Sequence, residues 1–153
     1  MRLPGDGWQL STTVDATLED QLTTHLVEYN QARSAAIRQR FHGDNLAAES
    51  VHAFVLGSGG ALIGGCTARV ERVWHWLDVD TMWVDEAVRG RGLGLALLRA
   101  VEDEGRRLGC RWSEVTTFDF QAPGFYRKAG YVEYGVKHDY PPGHTNHYLR
   151  KEL

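Results

Sequence analysis

The stretch Arg89-Gly90-Arg91-Gly92-Leu93-Gly94 lies between an apolar, aromatic segment, residues 74–84, and a helical pattern, residues 95–108. A strand that feeds a glycine-rich turn and then a helix start is a device for holding phosphates. The turn exposes backbone N–H groups, and the first helical turn adds unpaired donors and the positive end of its dipole. The glycines let the backbone approach an anion with no Cβ in the way. The two arginines add formal positive charge. A plain connection needs none of this, so the stretch reads as an anion site. It is no dinucleotide fingerprint, because Gly94 comes one residue early for G-x-G-x-x-G. It also lacks the Gly-Lys-Ser/Thr of a nucleoside-triphosphate loop.

Downstream, the helical pattern places Leu97, Leu98, Val101 and Leu108 on one face, with Glu102, Asp103, Arg106 and Arg107 outside. Gly109 is a natural C-cap, and residues 112–117 read as a strand. Strand, turn, helix and strand in this order form a β-α-β unit, so segments 74–84 and 112–117 should run parallel. A short helix over 122–129 follows, with Pro123 in its first turn and Gly130 closing it. Residues 131–136 and 144–153 read as two last strands around a Pro141-Pro142-Gly143 turn.

Upstream, residues 51–56 and 61–73 read as a hairpin around the Gly57-Ser58-Gly59-Gly60 turn, with Gly64-Gly65 as a bulge or flat spot. With segment 74–84 they suggest an antiparallel meander. Residues 8–14 read as a short first strand. A capping box at Thr17-x-x-Asp20 starts a helix to about Asn30, on Leu18, Leu22, Leu26 and Tyr29. A shorter helix is expected over 32–41.

Composition narrows the class. A chain of 153 residues suits one domain with a real core. The net charge of -3 gives no support for a nucleic-acid binder. No apolar run reaches the length of a membrane span. Residues 1–11 are polar and glycine-containing, so no apolar leader is expected. Cys66 and Cys110 lie far apart without C-x-x-C spacing, which fits reduced cysteines of a cytoplasmic protein and no metal site. His144 and His147, three apart on a strand, would point to opposite faces and share no ion. Asp78, Asp80 and Met82, spaced by two on one strand, are expected to share a face. Such a carboxylate pair, if buried, would suit a base.

The order strand, R-x-x-G-x-G turn, helix, strand, then a short helix ending in F-Y-x-x-x-G-Y resembles the GNAT family, the Gcn5-related N-acetyltransferases. The residues that carry the resemblance run from Met82 through Gly94, and then Phe125-Tyr126-Arg127-Lys128-Ala129-Gly130-Tyr131. The ending Asp139-Tyr140-Pro141-Pro142-Gly143-His144-Thr145 is also similar to a group of small bacterial members of unassigned substrate. The resemblance implies a single α/β domain over residues 1–153, of the α+β kind. Its mixed, mostly antiparallel sheet would have a central splayed parallel strand pair flanked by helices.

It further implies acetyl-CoA as acyl donor, no metal, and transfer by direct attack of a primary amine of a small molecule or peptide. In the family the turn, here Arg89, Gly90, Arg91, Gly92, Leu93 and Gly94, binds the pyrophosphate. The strand backbone at Met82, Trp83 and Val84 pairs with pantetheine. Tyr126 stands at the position of the tyrosine that protonates the departing thiolate. An acid on the strand, Asp78 or Asp80, acts as base directly or through water. An asparagine seven residues before the tyrosine often contacts the cofactor. Here that residue is Asp119, with Gln121 nearby as a substitute amide. The N-terminal helices and the segment before the last strand would line the acceptor site, and dimers are common among members. A non-catalytic acyl-CoA sensor or interaction module is the second reading. It would need the turn but neither Tyr126 nor the acidic strand.

Overall fold

The computed structural model describes residue 5 and residues 7–153. The expected polar opening, residues 1–11, therefore falls partly outside the described residues. The chain forms two compact units, one reaching to Gln39 and one from Arg40 to Leu153.

In the first unit, residues 8–14 form no strand, and Trp8, Leu10 and Val14 are exposed. Alternating apolar residues make a strand only where another strand supplies ladder bonds, and none of the described strands does so here. Helix α1 (Ala16–Arg33) starts two residues earlier than the Thr17 box predicts. Its cap is Asp15, whose Oδ1 accepts the N–H groups of Thr17 and Leu18. The second helix is shorter than expected. Ser34 takes an extended conformation, ends α1, and caps α2 (Ala35–Arg40) by accepting the Ile37 N–H at its Oγ. A serine side chain that bonds the backbone locally competes with helix continuation, which explains the break.

The second unit is built on one sheet. Strand β1 (Glu49–Leu56), β2 (Leu62–Glu71) and β3 (Trp76–Val84) form the expected meander. β3 starts at Trp76 rather than 74, because residues 72–75 make the reversal and His75 has φ 64°. Then come α3 (Leu93–Arg107), β4 (Trp112–Phe118), α4 (Pro123–Lys128), β5 (Val132–His138) and β6 (Thr145–Glu152). The strand order is β1-β2-β3-β4-β6-β5, with β3 and β4 parallel and every other neighbour antiparallel. This is the mixed, mostly antiparallel sheet with one parallel pair that the sequence predicts. No helix among the described residues is long and apolar enough to cross a membrane.

Gly64 and Gly65 are not a bulge: both keep ladder partners on β1 and β3. They are small for contact, since a Cβ on Gly65 would lie 2.8 Å from the Phe54 ring. The register shift nearest them is at Val55/Leu56, where Ile63, the residue just before Gly64, is left over on β2; a second falls at Thr67/Ala68.

The core lies between the sheet and α3. Leu97, Leu98 and Val101 are buried from the helix, and Cys66, Ala68, Leu77, Val79, Val115 and Leu149 from the sheet. Glu102 is buried too, at 1% exposure, although its charge suggests the outer face. It follows Leu98 by four residues, so helical geometry puts it on the inner face whatever its polarity. Leu77 is fully buried, with its methyls against α3 at Gly105. Leu77→Ala should lower unfolding free energy by about 3 kcal/mol. Urea denaturation should show this as a lower midpoint at unchanged slope.

Candidate active site

The site begins where two strands part. β3 and β4 pair over four positions only, from Trp76 opposite Trp112 to Val79 opposite Val115. At the same level β3 carries one extra residue. On β2, Ala68 faces Val79 and Thr67 faces Thr81, so Asp80 has no partner there. This is a β-bulge, which bends a strand and locally ends pairing. Beyond it the walls diverge around a cleft of about 930 Å³. Residues 80–84 form one side, residues 115–117 the other, and the glycine turn and α4 also line it. The β3 backbone groups facing β4 past Val79 have no ladder partner there among the described residues. They offer an extended ligand the bonds of a missing strand.

The bulge also resets which way β3 side chains point. Leu77 and Val79 are buried in the core, and after the bulge Met82 and Val84 pack against that same core. Asp78 is therefore on the opposite face from Met82, contrary to the period-two expectation that Asp78, Asp80 and Met82 share one face. Asp78 pairs with Arg69 across the ladder, Oδ2 to guanidinium at 2.5 Å, and does not line the cleft. Asp80 is exposed and does line it. The two carboxylates do not form a buried pair.

At the wide end, Gly90 and Gly92 take φ of 77° and 81°, left-handed values that favour glycine. Gly92 is the N-cap of α3 and supplies no side chain. The Ala96 N–H, bonded to the Gly92 carbonyl at 3.1 Å, opens the helical ladder. The N–H groups of Leu93, Gly94 and Leu95 precede it and have no acceptor within the helix. They form, with the helix dipole, a backbone cradle for an anion. The Arg89 guanidinium is used locally: its Nε donates to the Val84 carbonyl at 2.9 Å, and it pairs with Glu86 at 3.3 Å. It fastens the turn to the end of β3. Arg91 is exposed and outside the lining residues.

Tyr126, on α4, is 6% exposed. Its hydroxyl donates to the Met82 sulfur at 3.6 Å, and both residues line the cleft. Burial, and next the Cys66 thiol, push its phenol up to about 12. At neutral pH it keeps its proton, which it shares with the thioether of Met82 in the cleft wall. Gln121 lines the cleft, with its amide oxygen accepting from the Phe118 N–H at 2.9 Å and from Thr117. The amide nitrogen is the end left for donation. Asp119 is turned to His144, 3.1 Å from Oδ1 to Nδ1, so the anion has a partner of its own. His147 bonds Glu133 instead, and no metal-holding group of His, Cys, Asp or Glu occurs among the described residues.

Phe120, Phe125 and Lys128 also line the cleft; the sequence places Phe125 and Lys128 in the motif around Tyr126 but gives them no role in the site, and it does not point to Phe120. Phe125 and Lys128 could have been read from α4, since residues three apart share a helix face. Phe120 carries no such signal, because it lies in the loop after β4.

Residues 14–131 match the model of the acetyltransferase (GNAT) family. Blasticidin-S acetyltransferase of Streptomyces morookaense is 42% identical over 128 residues, 81% of this chain and 93% of that protein. An acetyltransferase of Agrobacterium fabrum is 28% identical over 144 residues, 94% of this chain and 97% of its own. The crystal structure of an acetyltransferase from Bacillus cereus superposes with a TM-score of 0.72 at 32% identity, over 95% of this chain and 98% of that one.

The raised Tyr126 phenol has a consequence for stability. Its folded value lies above the ordinary 10, so the folded state holds this proton more tightly than the unfolded chain. That contribution is complete below pH 10 and is lost as pH rises toward about 12. Across this window the wild type should lose more stability than Tyr126→Phe, as measured by urea midpoints at matched pH values. Parallel curves for the two proteins would contradict the raised phenol.

Proposed function

This chain belongs to the GNAT acetyltransferase family, and from that premise we propose that it moves an acetyl group from acetyl-CoA to a primary amine of a small molecule. The single observation that carries the reading is one cleft lined both by a backbone anion cradle at a helix start and by Tyr126, whose buried phenol keeps its proton at neutral pH. Such a cleft fits the donor in parts. The N–H groups of Leu93, Gly94 and Leu95 would hold the pyrophosphate, helped by Arg89, Gly90, Arg91 and Gly92 as the turn around it. The open β3 edge at Met82, Trp83 and Val84 would take the pantetheine arm, with Gln121 opposite. Acetyl-CoA supplies the thioester, an acyl group activated toward amines.

The chain's own residues then have three tasks. Backbone N–H groups of the splayed strand polarise the thioester carbonyl. Asp80, exposed at the bulge, takes the proton from the attacking amine directly or through water. Asp78, ion-paired with Arg69 on the other face, is the less direct candidate for that task. Tyr126 donates its proton to the sulfur as the C–S bond breaks, and exchange with water restores the phenol. The nitrogen forms the new C–N bond, so no acyl group rests on the protein.

The identity to blasticidin-S acetyltransferase over most of both chains favours a small molecule such as blasticidin S as acceptor over a peptide. Buried free thiols at Cys66 and Cys110 fit a reducing cytoplasm. The family match runs across both units, which favours treating residues 1–153 as one transferase domain.

Thiol release from acetyl-CoA should be measured with blasticidin S, aminoglycosides, polyamines, amino acids and peptides. Tyr126→Phe is expected to lose about a hundredfold in kcat, and unchanged turnover would remove Tyr126 from its role. Gly94→Val puts a branched side chain where even a lone Cβ would lie 3.3 Å from Met82 and 3.6 Å from Phe125. It should weaken CoA binding about tenfold in calorimetry. CoA binding with no turnover on any acceptor would instead favour the sensor reading.

A further inference from the structure

We infer that Tyr131 and Glu102 are positioning residues for Tyr126, forming a buried clamp that aims its hydroxyl. The inference rests on the reading of Tyr126 as proton donor. The Tyr126 hydroxyl is held by little of its own. Its hydrogen-bond partner is a thioether sulfur, a weak acceptor, at 3.6 Å. The position of the hydroxyl oxygen is therefore set by what packs around the ring.

The packing is specific. The Tyr131 ring meets the Tyr126 ring edge-to-face, centroids 5.7 Å apart and planes at 73°. The Tyr131 N–H donates to the Tyr126 carbonyl at 3.0 Å. One residue thus touches both the ring and the backbone of the donor. The other end of Tyr131 is tied down in turn. Its hydroxyl lies 2.7 Å from Ser113 Oγ on β4 and donates to Glu102 Oε1 on α3 at 3.0 Å. The second Glu102 oxygen accepts from Lys151 Nζ of β6 at 2.7 Å, and Arg106 stands 3.8 Å away. Ser113 and Glu102 are at most 1% exposed.

Three elements that form the core, α3, β4 and β6, therefore converge on a single phenol whose ring supports the donor. A buried carboxylate with its ion partner is a poor source of net stability, because both charges lose their hydration. Its bonds are directional, however, and an oxygen left unpaired here would be costly. Such a network resists displacement of Tyr131 better than apolar packing would. Small misplacements of a reacting group cost large factors in rate, so a rigid support for a weakly bonded donor matters.

A double-mutant cycle separates this role from general support of the fold. kcat and KM are measured for wild type, Tyr131→Phe, Tyr126→Phe and the double variant, with melting curves for each. Tyr131→Phe keeps the ring and removes its anchor. It should lower kcat about tenfold with KM for acetyl-CoA unchanged, and should cost nothing further once Tyr126 is Phe. The same loss in both backgrounds, or no loss in the first, would overturn the clamp. Tyr126→Phe with wild-type kcat would overturn the donor reading itself, and that result is read without reference to the cycle. If Tyr131→Phe fails to fold, Ser113→Ala, which leaves the Glu102 bond in place, enters the cycle with the same criterion.

Discussion

The site depends on one missing stretch of ladder. Four residue pairs join β3 to β4, and then the pairing stops at Val79 and Val115. Had it continued, the sheet would be closed, with its backbone groups satisfied and no room for a ligand. The extra residue at Asp80 is what stops it. A strand with one residue too many cannot stay in step with neighbours on both sides. The sheet keeps the β2 ladder and gives up the β4 ladder. A defect on one edge thereby becomes a slot lined by unpaired backbone groups, open to an extended ligand.

The same residue decides the chemistry of the walls. By shifting the phase of β3, it turns Met82 and Val84 to the core side and leaves Asp78 on the other face with Arg69. Met82 can then meet Tyr126. Without the bulge Met82 would share a face with Asp78, and α4 would present its tyrosine to something else. Burial of Tyr126 follows from the same packing, and burial is the leading reason why its phenol holds its proton.

Buried polarity concentrates at one place behind the site. Glu102, Ser113 and Tyr131 lie in the core with Lys151 reaching them from β6. All buried side-chain polar atoms among the described residues have partners. Outside it, the polar contacts near the cleft, such as Asp119 with His144, are partly exposed and tie loops to strand ends. The interior network therefore sits directly behind Tyr126, and the exposed pairs sit at loops and strand ends.

What the sequence by itself determined is the order of elements, the parallel pair, the glycine turn at a helix start, and Tyr126 in a short helix. These are local: glycine spacing, a helical period and a proline at a first turn act over a few residues. The family resemblance rests on the same local motifs. What only the tertiary structure decided is the phase of β3, the burial of Glu102, the pairing of Asp119, and the absence of a strand over residues 8–14. A strand needs a partner, a bulge is defined by its neighbour's register, and a charge is buried only when distant residues such as Tyr131 and Lys151 arrive to meet it. The period of two that put Asp78 beside Met82 is correct for an unbroken strand. It failed here because one residue was left over between two ladders, and no single strand's sequence records what its neighbours leave unpaired.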